Sequence, residues 1–349
     1  MKITSEIKKG EKSTVDIIAE ISYADFEPYY DRALDQLGKD VELKGFRKGQ
    51  APREILEKTL GDMRILDEMA HMAVADAYPL LLEEHKLDPL GRPMVNITKL
   101  AKGNPLGFTI TTAVVPDINL PDYKSIARAE MAKPTDTEVT ETEVADAILQ
   151  IQKMRAQNDA ITAGVDPKEA KDAEIKDLDD EYVKTLGDFT DVADFTHKLT
   201  ENLKAEKENK AYEKTQLAIA DALIEATQAD VPDVLVDFEL QKMMAQMEYD
   251  IAMTGMAFDE YLKAIEKTRD DMKKDWHESA TKRALMNLII EKIAHQEKLH
   301  PTDEQVENDA QKILEQYKDM KDIDPNNVRA YVASLLTNQN VFTFFAAQK

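Results

Sequence analysis

The stretch "TVDIIAEISYADFEPYYDRALDQLG", residues 14–38, changes its period half-way along. In its first part Val15, Ile17, Ile18 and Ile21 are β-branched and partly alternate, as a strand with one covered face requires. From Ala24 onward Phe26, Tyr29, Tyr30, Ala33, Leu34 and Leu37 recur at helical spacing, and the helix they mark should end near Gly38. Residues 2–9 read as a second strand, joined to the first through a turn at "KKGEK". Two strands running straight into an amphipathic helix open an α+β domain, with helices laid on an antiparallel sheet.

Further along, Pro52 suits the first turn of a new helix, and another covers Asp62 to Lys86, where Pro79 should kink it or restrict its register. "MVNITKL" (94–100) and "GFTITTAVVP" (107–116) are strands separated by the turn chemistry of "AKGNPL". The order β-β-α-loop-α-α-β-β thus closes near Pro116, giving a first domain over 1–116. Residues 117–156 read as a connection made of a short strand, "SIARAEMA", and a helix carrying Val139, Val144, Ile148, Ile151 and Met154. Residues 157–180 are polar, lack an apolar period and read as a linker.

From 181 to 349 the pattern is all helix. One segment runs from about 188 to 228 with a charged, solvated middle, "KAEKENKAYEK". A second starts at Pro232, carries Val236, Leu240, Met243, Met244, Met247 and Ile251, and stops at Gly255. A third covers Arg269 to Lys298, Thr302 with Gln305 forms a capping box for a fourth, and Asp324-Pro325 opens a fifth. Long helices with sparse apolar faces indicate an extended all-α C-terminal domain with helical arms.

Composition excludes several function classes. Of the 349 residues, 45 are Lys or Arg and 68 are Asp or Glu, a net charge of −23 that repels a phosphate backbone over most of the surface. Residues 1–130 carry 18 basic and 22 acidic side chains, and residues 131–349 carry 27 and 46, so the acidity is concentrated in the second part. Around the loop at 41–58 the balance reverses: Lys44, Arg47, Lys48, Arg53 and Lys58 outnumber Glu42, Glu54 and Glu57. The chain has no cysteine, which removes disulfides and thiolate chemistry. Its N-terminus mixes charged with apolar residues and no window approaches the ~20 apolar residues of a membrane span, so a soluble cytosolic protein is expected.

Catalytic and metal signatures are weak. The nearest histidine pair, His295 and His300, straddles a helix end. "DIDPNN" from Asp322 starts like a calcium loop but has Asn327 at the sixth position and Ala333 at the twelfth, so it reads as a helix cap. No Gly-rich phosphate loop follows a strand, which argues against ATP use. No cofactor is expected.

The loop "VELKGFRKGQAP", residues 41–52, holds the sharpest signal. Phe46 lies between glycine turns and beside two cations, where its apolar area is wasted unless a partner covers it. Gly45-Phe46-Arg47-Lys48-Gly49 followed by Pro52 resembles the ribosome-binding signature of bacterial trigger factor. The order of strands and helices around it, the "LGRPMV" return to strand and the long C-terminal helices resemble the same family over residues 1–156 and about 176–349.

The resemblance implies an ATP-independent chaperone docked beside the exit tunnel of the large ribosomal subunit, touching ribosomal protein and RNA through Phe46, Arg47 and Lys48. Gly45 and Gly49 would permit the turn, and Pro52 would start the next helix. It also implies nascent or unfolded polypeptides as partners, no membrane, and weak self-association of the free protein into a homodimer. Members of that family commonly insert a prolyl-isomerase domain of the FK506-binding type, which needs ~100 residues. Here the insertion point falls in the polar linker, so no isomerase activity is expected.

Methionine remains. Met243, Met244, Met247, Met253, Met256, Met272, Met286 and Met320 fall after residue 231. Such residues fill helical cores, and they also suit an open cradle that adapts to many unrelated clients. Val236, Leu240, Met243, Met244, Met247, Met253, Met256, Phe258 and Leu262 are the candidate client surface. An off-ribosome holdase related to extracytoplasmic chaperones, an enzyme of the prolyl-isomerase class, for which no catalytic domain is found, and a helical adaptor with one partner are the rival readings.

Overall fold

A computed structural model describes residues 1–40, 46, 52–317 and 323–348. The chain forms two compact units, each built from two separated stretches: Met1–Leu120 with Thr227–Ile293, and Pro121–Ala226 with Ala294–Lys349.

The first unit is organised by a four-stranded antiparallel sheet of β1 (Ile3–Lys9), β2 (Thr14–Ile21), β3 (Pro89–Lys99) and β4 (Leu106–Val114), in the order β1-β2-β4-β3. In the central pair Ile17 faces Ile110, Ala19 faces Phe108 and Ile21 faces Leu106. Val15, Ile17, Ala19 and Ile21 are buried in strict alternation, so Ile18 turns to the opposite face. Their face is covered by α1 (Tyr23–Phe26), α2 (Tyr29–Asp40) and α4 (Asp62–His85), whose inner row runs Ile65, Leu66, Met69, Ala70, Ala73, Val74, Ala77, Leu81. Alanines in that row let the helix lie close to the sheet. Burial of a ring such as Phe108, with no exposed surface, contributes about 2–3 kcal/mol.

Two sequence expectations are corrected here. The helix expected over 24–38 is broken, because Pro28 has no N–H to give. α1 is a single turn capped by Ser22, which accepts from the Asp25 N–H at 3.3 Å, and α2 starts after the proline. α2 then runs through Gly38 instead of ending there. A Cβ at that position would stand 3.1 Å from Leu56 Cδ1 of α3 (Arg53–Leu60), so the glycine serves a close helix contact. Pro79 is accommodated inside one continuous α4, on its exposed side.

The rest of the first unit is α9 (Asp233–Met253), α10 (Phe258–Ala264) and most of α11 (Arg269–Glu297). α9 is fastened to the β1–β2 turn, where Lys12 and Ser13 take left-handed φ angles of 51° and 52°. Lys12 Nζ donates to both Asp233 oxygens at 2.7 and 2.9 Å, and Ser13 Oγ donates to the Asp230 carbonyl at 2.8 Å. Gly91 on β3, at φ +71°, leaves room for Val234, whose Cγ2 would be 2.8 Å from a Cβ there.

The second unit holds α5 (Tyr123–Met131), α6 (Glu141–Thr162), α7 (Asp180–Leu186), α8 (Val192–Ala226), α12 (Asp303–Gln316) and α13 (Pro325–Ala346). The strand expected at "SIARAEMA" is α5. Asp122 caps it by accepting from the Ser125 N–H and Oγ, and Ala127, Arg128, Ala129 and Glu130 favour helix. Within the stretch read as a linker, α6 continues to Thr162 and a short 3-10 turn forms at Ala170–Asp172. α8 spans 35 residues and buries Phe195, Ile219 and Leu223, with nothing fully buried between residues 196 and 218. Its middle is solvated and laced with ion pairs such as Lys210–Glu206. Tyr123 joins three elements: its ring lies 6.4 Å from Phe345 and its hydroxyl donates to Glu297 at 2.7 Å. Burial, helped by that carboxylate, pushes the phenol up to about 12.

Glu143 does two tasks in this unit. It completes the capping box of α6 with Thr140 and accepts from Lys207 of α8 at 2.8 Å. The Lys207 hydrogen bond first, then the Thr140 N–H, hold its carboxyl down at about 2 against an ordinary 4.5. A depressed carboxylate stabilises the fold above its unfolded value, and that contribution drains away as pH falls through the folded value. Urea unfolding of wild type and Glu143→Gln should therefore differ at pH 6, converge between pH 4.5 and 2 and coincide below. A constant difference across that window rules out this tie as the cause.

Candidate functional site

The loop expected to dock lies between α2 and α3. Phe46 is 39 % exposed, a large apolar ring facing solvent. Pro52 stands at the N-cap of α3 with φ −59°, and Ile55 behind it is also exposed. Gly45, Arg47, Lys48 and Gly49 lie outside the described residues.

The flanking charges are not equivalent, although the sequence counts them alike. Arg53 pairs with Asp31, donates to Glu57 Oε1 at 3.1 Å, and places its guanidinium 5.6 Å from the Tyr30 ring. The Asp31 hydrogen bond, then that of Glu57, raises its already high pKa. Arg53 is thus a clamp between α2 and α3, so its charge is largely spent within the fold. Arg53 therefore adds little to the positive excess that the sequence counts over 41–58.

The candidate client residues divide by burial. Val236, Leu240, Met244, Phe258 and Leu262 are all buried. Met244, Phe258, Leu262 and Met272 form one small core at the α9–α10–α11 corner, with Met247, Ile251, Tyr261 and Trp276 packed around it. Met243 and Met247 are half-buried, while Met253 and Met256 are 71 % and 44 % exposed. Burial corrects the expectation for the first five, which have no surface to offer a client. Met286 is half-buried, and Met320 lies outside the described residues.

Sequence reading missed Phe238 and Tyr249, 54 % and 59 % exposed. They and Met253 are spaced eleven and four residues apart, which sets them on one stripe of α9, opposite its buried row. Lys242 Nζ stands 4.6 Å above the Phe238 ring. α9 thus has two apolar faces. The signal was available as aromatic residues out of phase with the row of Val236, Leu240 and Met244.

Arg269, the first residue of α11, locks the corner. Its Nη atoms donate to Glu248 of α9 at 3.2 and 3.3 Å, Asp259 of α10 is 3.6 Å away, and the guanidinium lies 4.7 Å over the Phe258 ring. Those contacts hold the Glu248 carboxyl below its usual range, the Arg269 hydrogen bond being the main cause. Among the described residues, no three His, Asp or Glu side chains are placed to hold a metal ion, and no helix is long and apolar enough to cross a membrane.

The family model described as "Bacterial trigger factor protein (TF)" matches residues 1–151, and the model of its C-terminus matches residues 191–344. The chain belongs to the trigger factor family. The trigger factor of Natranaerobius thermophilus is 24 % identical over 392 aligned residues, covering 90 % of this chain and 87 % of that protein. That of Bacillus pumilus is 25 % identical over 392, covering 91 % and 92 %. A solved structure described as "Promiscuous Substrate Recognition in Folding and Assembly Activities of the Trigger Factor Chaperone" superposes with a TM-score of 0.58 at 15 % identity, over 99 % of this chain and all of that one. It shares the fold: helices on a small antiparallel sheet, followed by a helical C-terminal region. In this trigger factor the stretch between the two matched segments, residues 152–190, is short and carries only the end of α6, the 3-10 turn and α7.

Arg269→Ala should loosen the hairpin corner. Trp276, the chain's one tryptophan, reports it: its emission should move to longer wavelength and the urea midpoint should fall. An Arg269→Ala spectrum identical to wild type would show that the apolar core holds the corner alone.

Proposed function

We propose that this trigger factor is an ATP-independent, ribosome-associated chaperone that shields nascent or unfolded polypeptides near the exit tunnel. The exposed ring of Phe46 between two glycines and beside two cations carries this reading. The ring supplies an apolar anchor, while Arg47 and Lys48 complement ribosomal protein and RNA on an otherwise acidic chain. Gly45 and Gly49 permit the turn, and Pro52, at the head of α3, fixes its exit. The domain over 1–116 is the ribosome-binding part. Contacts at a few phosphates make the affinity depend on salt.

Client contact falls to the outer face of the α9–α10 hairpin: Phe238, Tyr249, Met253 and Met256, with half-buried Met243 and Met247 behind them. The buried Val236, Leu240, Met244, Phe258 and Leu262 give that face its shape. Apolar, flexible side chains bind unrelated segments weakly, and the surrounding acidity keeps a loaded chaperone soluble. The protein works in the cytosol, free of cofactors, and self-associates weakly when off the ribosome. It does so without prolyl-isomerase activity, because residues 152–190 are too few for such a domain.

Sedimentation with bacterial ribosomes tests the dock. Wild type should co-sediment at low salt and release at high salt, and the Phe46→Ala, Arg47→Ala, Lys48→Ala variant should lose about tenfold or more in affinity with its circular dichroism unchanged. Equal binding by both proteins sinks the loop as the dock, and absence of binding by either leaves an off-ribosome holdase. An assay on a proline-containing peptide should give no isomerisation above background. Measurable catalysis there would overturn the non-enzymatic part of the reading.

A further inference from the structure

The chain holds 15 methionines and no cysteine, so a thioether is the side chain that a mild two-electron oxidant attacks first. On the α9–α11 hairpin, burial separates two kinds. Met244 and Met272 are 7 % and 6 % exposed inside the corner core, while Met253 is 71 % and Met256 44 % exposed. The exposed pair flanks the Thr254-Gly255 turn, where Gly255 has φ +82° and nothing lies within 4 Å of a would-be Cβ. An oxidant meets open space there.

We infer that Met253 and Met256 form a reversible oxidation site that switches client capture off without unfolding the protein. The inference rests on the reading that this face meets clients. With a peroxide as oxidant, the thioether sulfur attacks one peroxide oxygen, an S–O bond forms and the O–O bond breaks. The departing oxygen takes the protons and leaves as water; sulfur gives up two electrons and the peroxide gains them. A dithiol reductant reverses the step, becoming a disulfide while the oxygen leaves as water. The sulfoxide is a strong hydrogen-bond acceptor that keeps its water, so the apolar contact it offered a client is lost. Met244 and Met272, buried in the corner core with Trp276 packed against it, keep the corner folded throughout.

The test uses the full-length chain, treated with increasing hydrogen peroxide and mapped by peptide mass spectrometry. Met253 and Met256 should gain oxygen well before Met244 and Met272. The concentration of protein that half-suppresses aggregation of a chemically unfolded enzyme should rise about fivefold, with circular dichroism unchanged, and return after a methionine sulfoxide reductase with dithiol. For Met253→Leu, Met256→Leu, peroxide should leave suppression where it stood before treatment, although the exposed Met63, Met94 and Met154 are still oxidised. Undiminished suppression by the oxidised wild type overturns the inference alone, as does an equal peroxide loss in the double variant. An untreated protein that suppresses no aggregation overturns the chaperone reading and this inference together.

Discussion

The first unit depends on the pairing of β2 with β4. Ile17, Ala19 and Ile21 stand opposite Ile110, Phe108 and Leu106, and all six side chains are buried on one face. A slip of one residue would turn that set to solvent and bring Asp16, Ile18 and Glu20 inward. The register is therefore fixed by the cost of burying carboxylates as much as by the gain from burying aliphatics. Once β2 is held, the Lys12-Ser13 turn at one end meets α9, and the Ser22 cap at the other launches α1 and α2. The helices at both ends of β2 are thus placed by one strand pair.

Charge acts at two ranges in this protein. Over the whole chain the net −23 favours solubility and keeps polyanions away. Locally, many cations among the described residues are engaged by neighbouring carboxylates, as at Arg32–Asp76, Lys12–Asp233, Arg269–Glu248 and along α8. These exposed pairs are individually weak. Their effect is to spend much of the positive charge of the described residues within the fold. Arg53 illustrates the distinction, since it sits in the same basic stretch but is tied down by Asp31 and Glu57.

α9 carries apolar side chains on two faces. A helix needs one apolar face to be held in place, and the proposed client contact needs a second, yet apolar on all sides reads as buried. Here the first face is closed by Met272, Phe258 and Leu262 and bolted by Arg269. The second is sparse: Phe238, Tyr249 and Met253 are separated by polar residues, and Lys242 lies across the Phe238 ring. Spacing of this kind keeps the exposed area discontinuous, which limits self-aggregation while leaving points of contact.

Sequence by itself determined the elements whose signals are local. Pro232 and Gly255 bracket α9, Thr302 with Gln305 starts α12, Asp324-Pro325 starts α13, and the alternation of Val15, Ile17 and Ile21 marks β2. The Phe46 stretch stands out in sequence for the same reason, as its glycines and charges are contiguous; of residues 41–51 the structure describes Phe46. What failed locally was short: the break at Pro28 and the Asp122 cap of α5 were signals present but outweighed by neighbouring patterns. Tertiary structure alone decided which of α9's two apolar faces is buried, that Gly38 exists for Leu56, that Arg53 is spent on Asp31, and that Thr227–Ile293 packs with the N-terminal sheet. Each of these depends on a partner distant in sequence. Periodicity says that a side chain has a face; what covers that face is settled only when the chain has closed on itself.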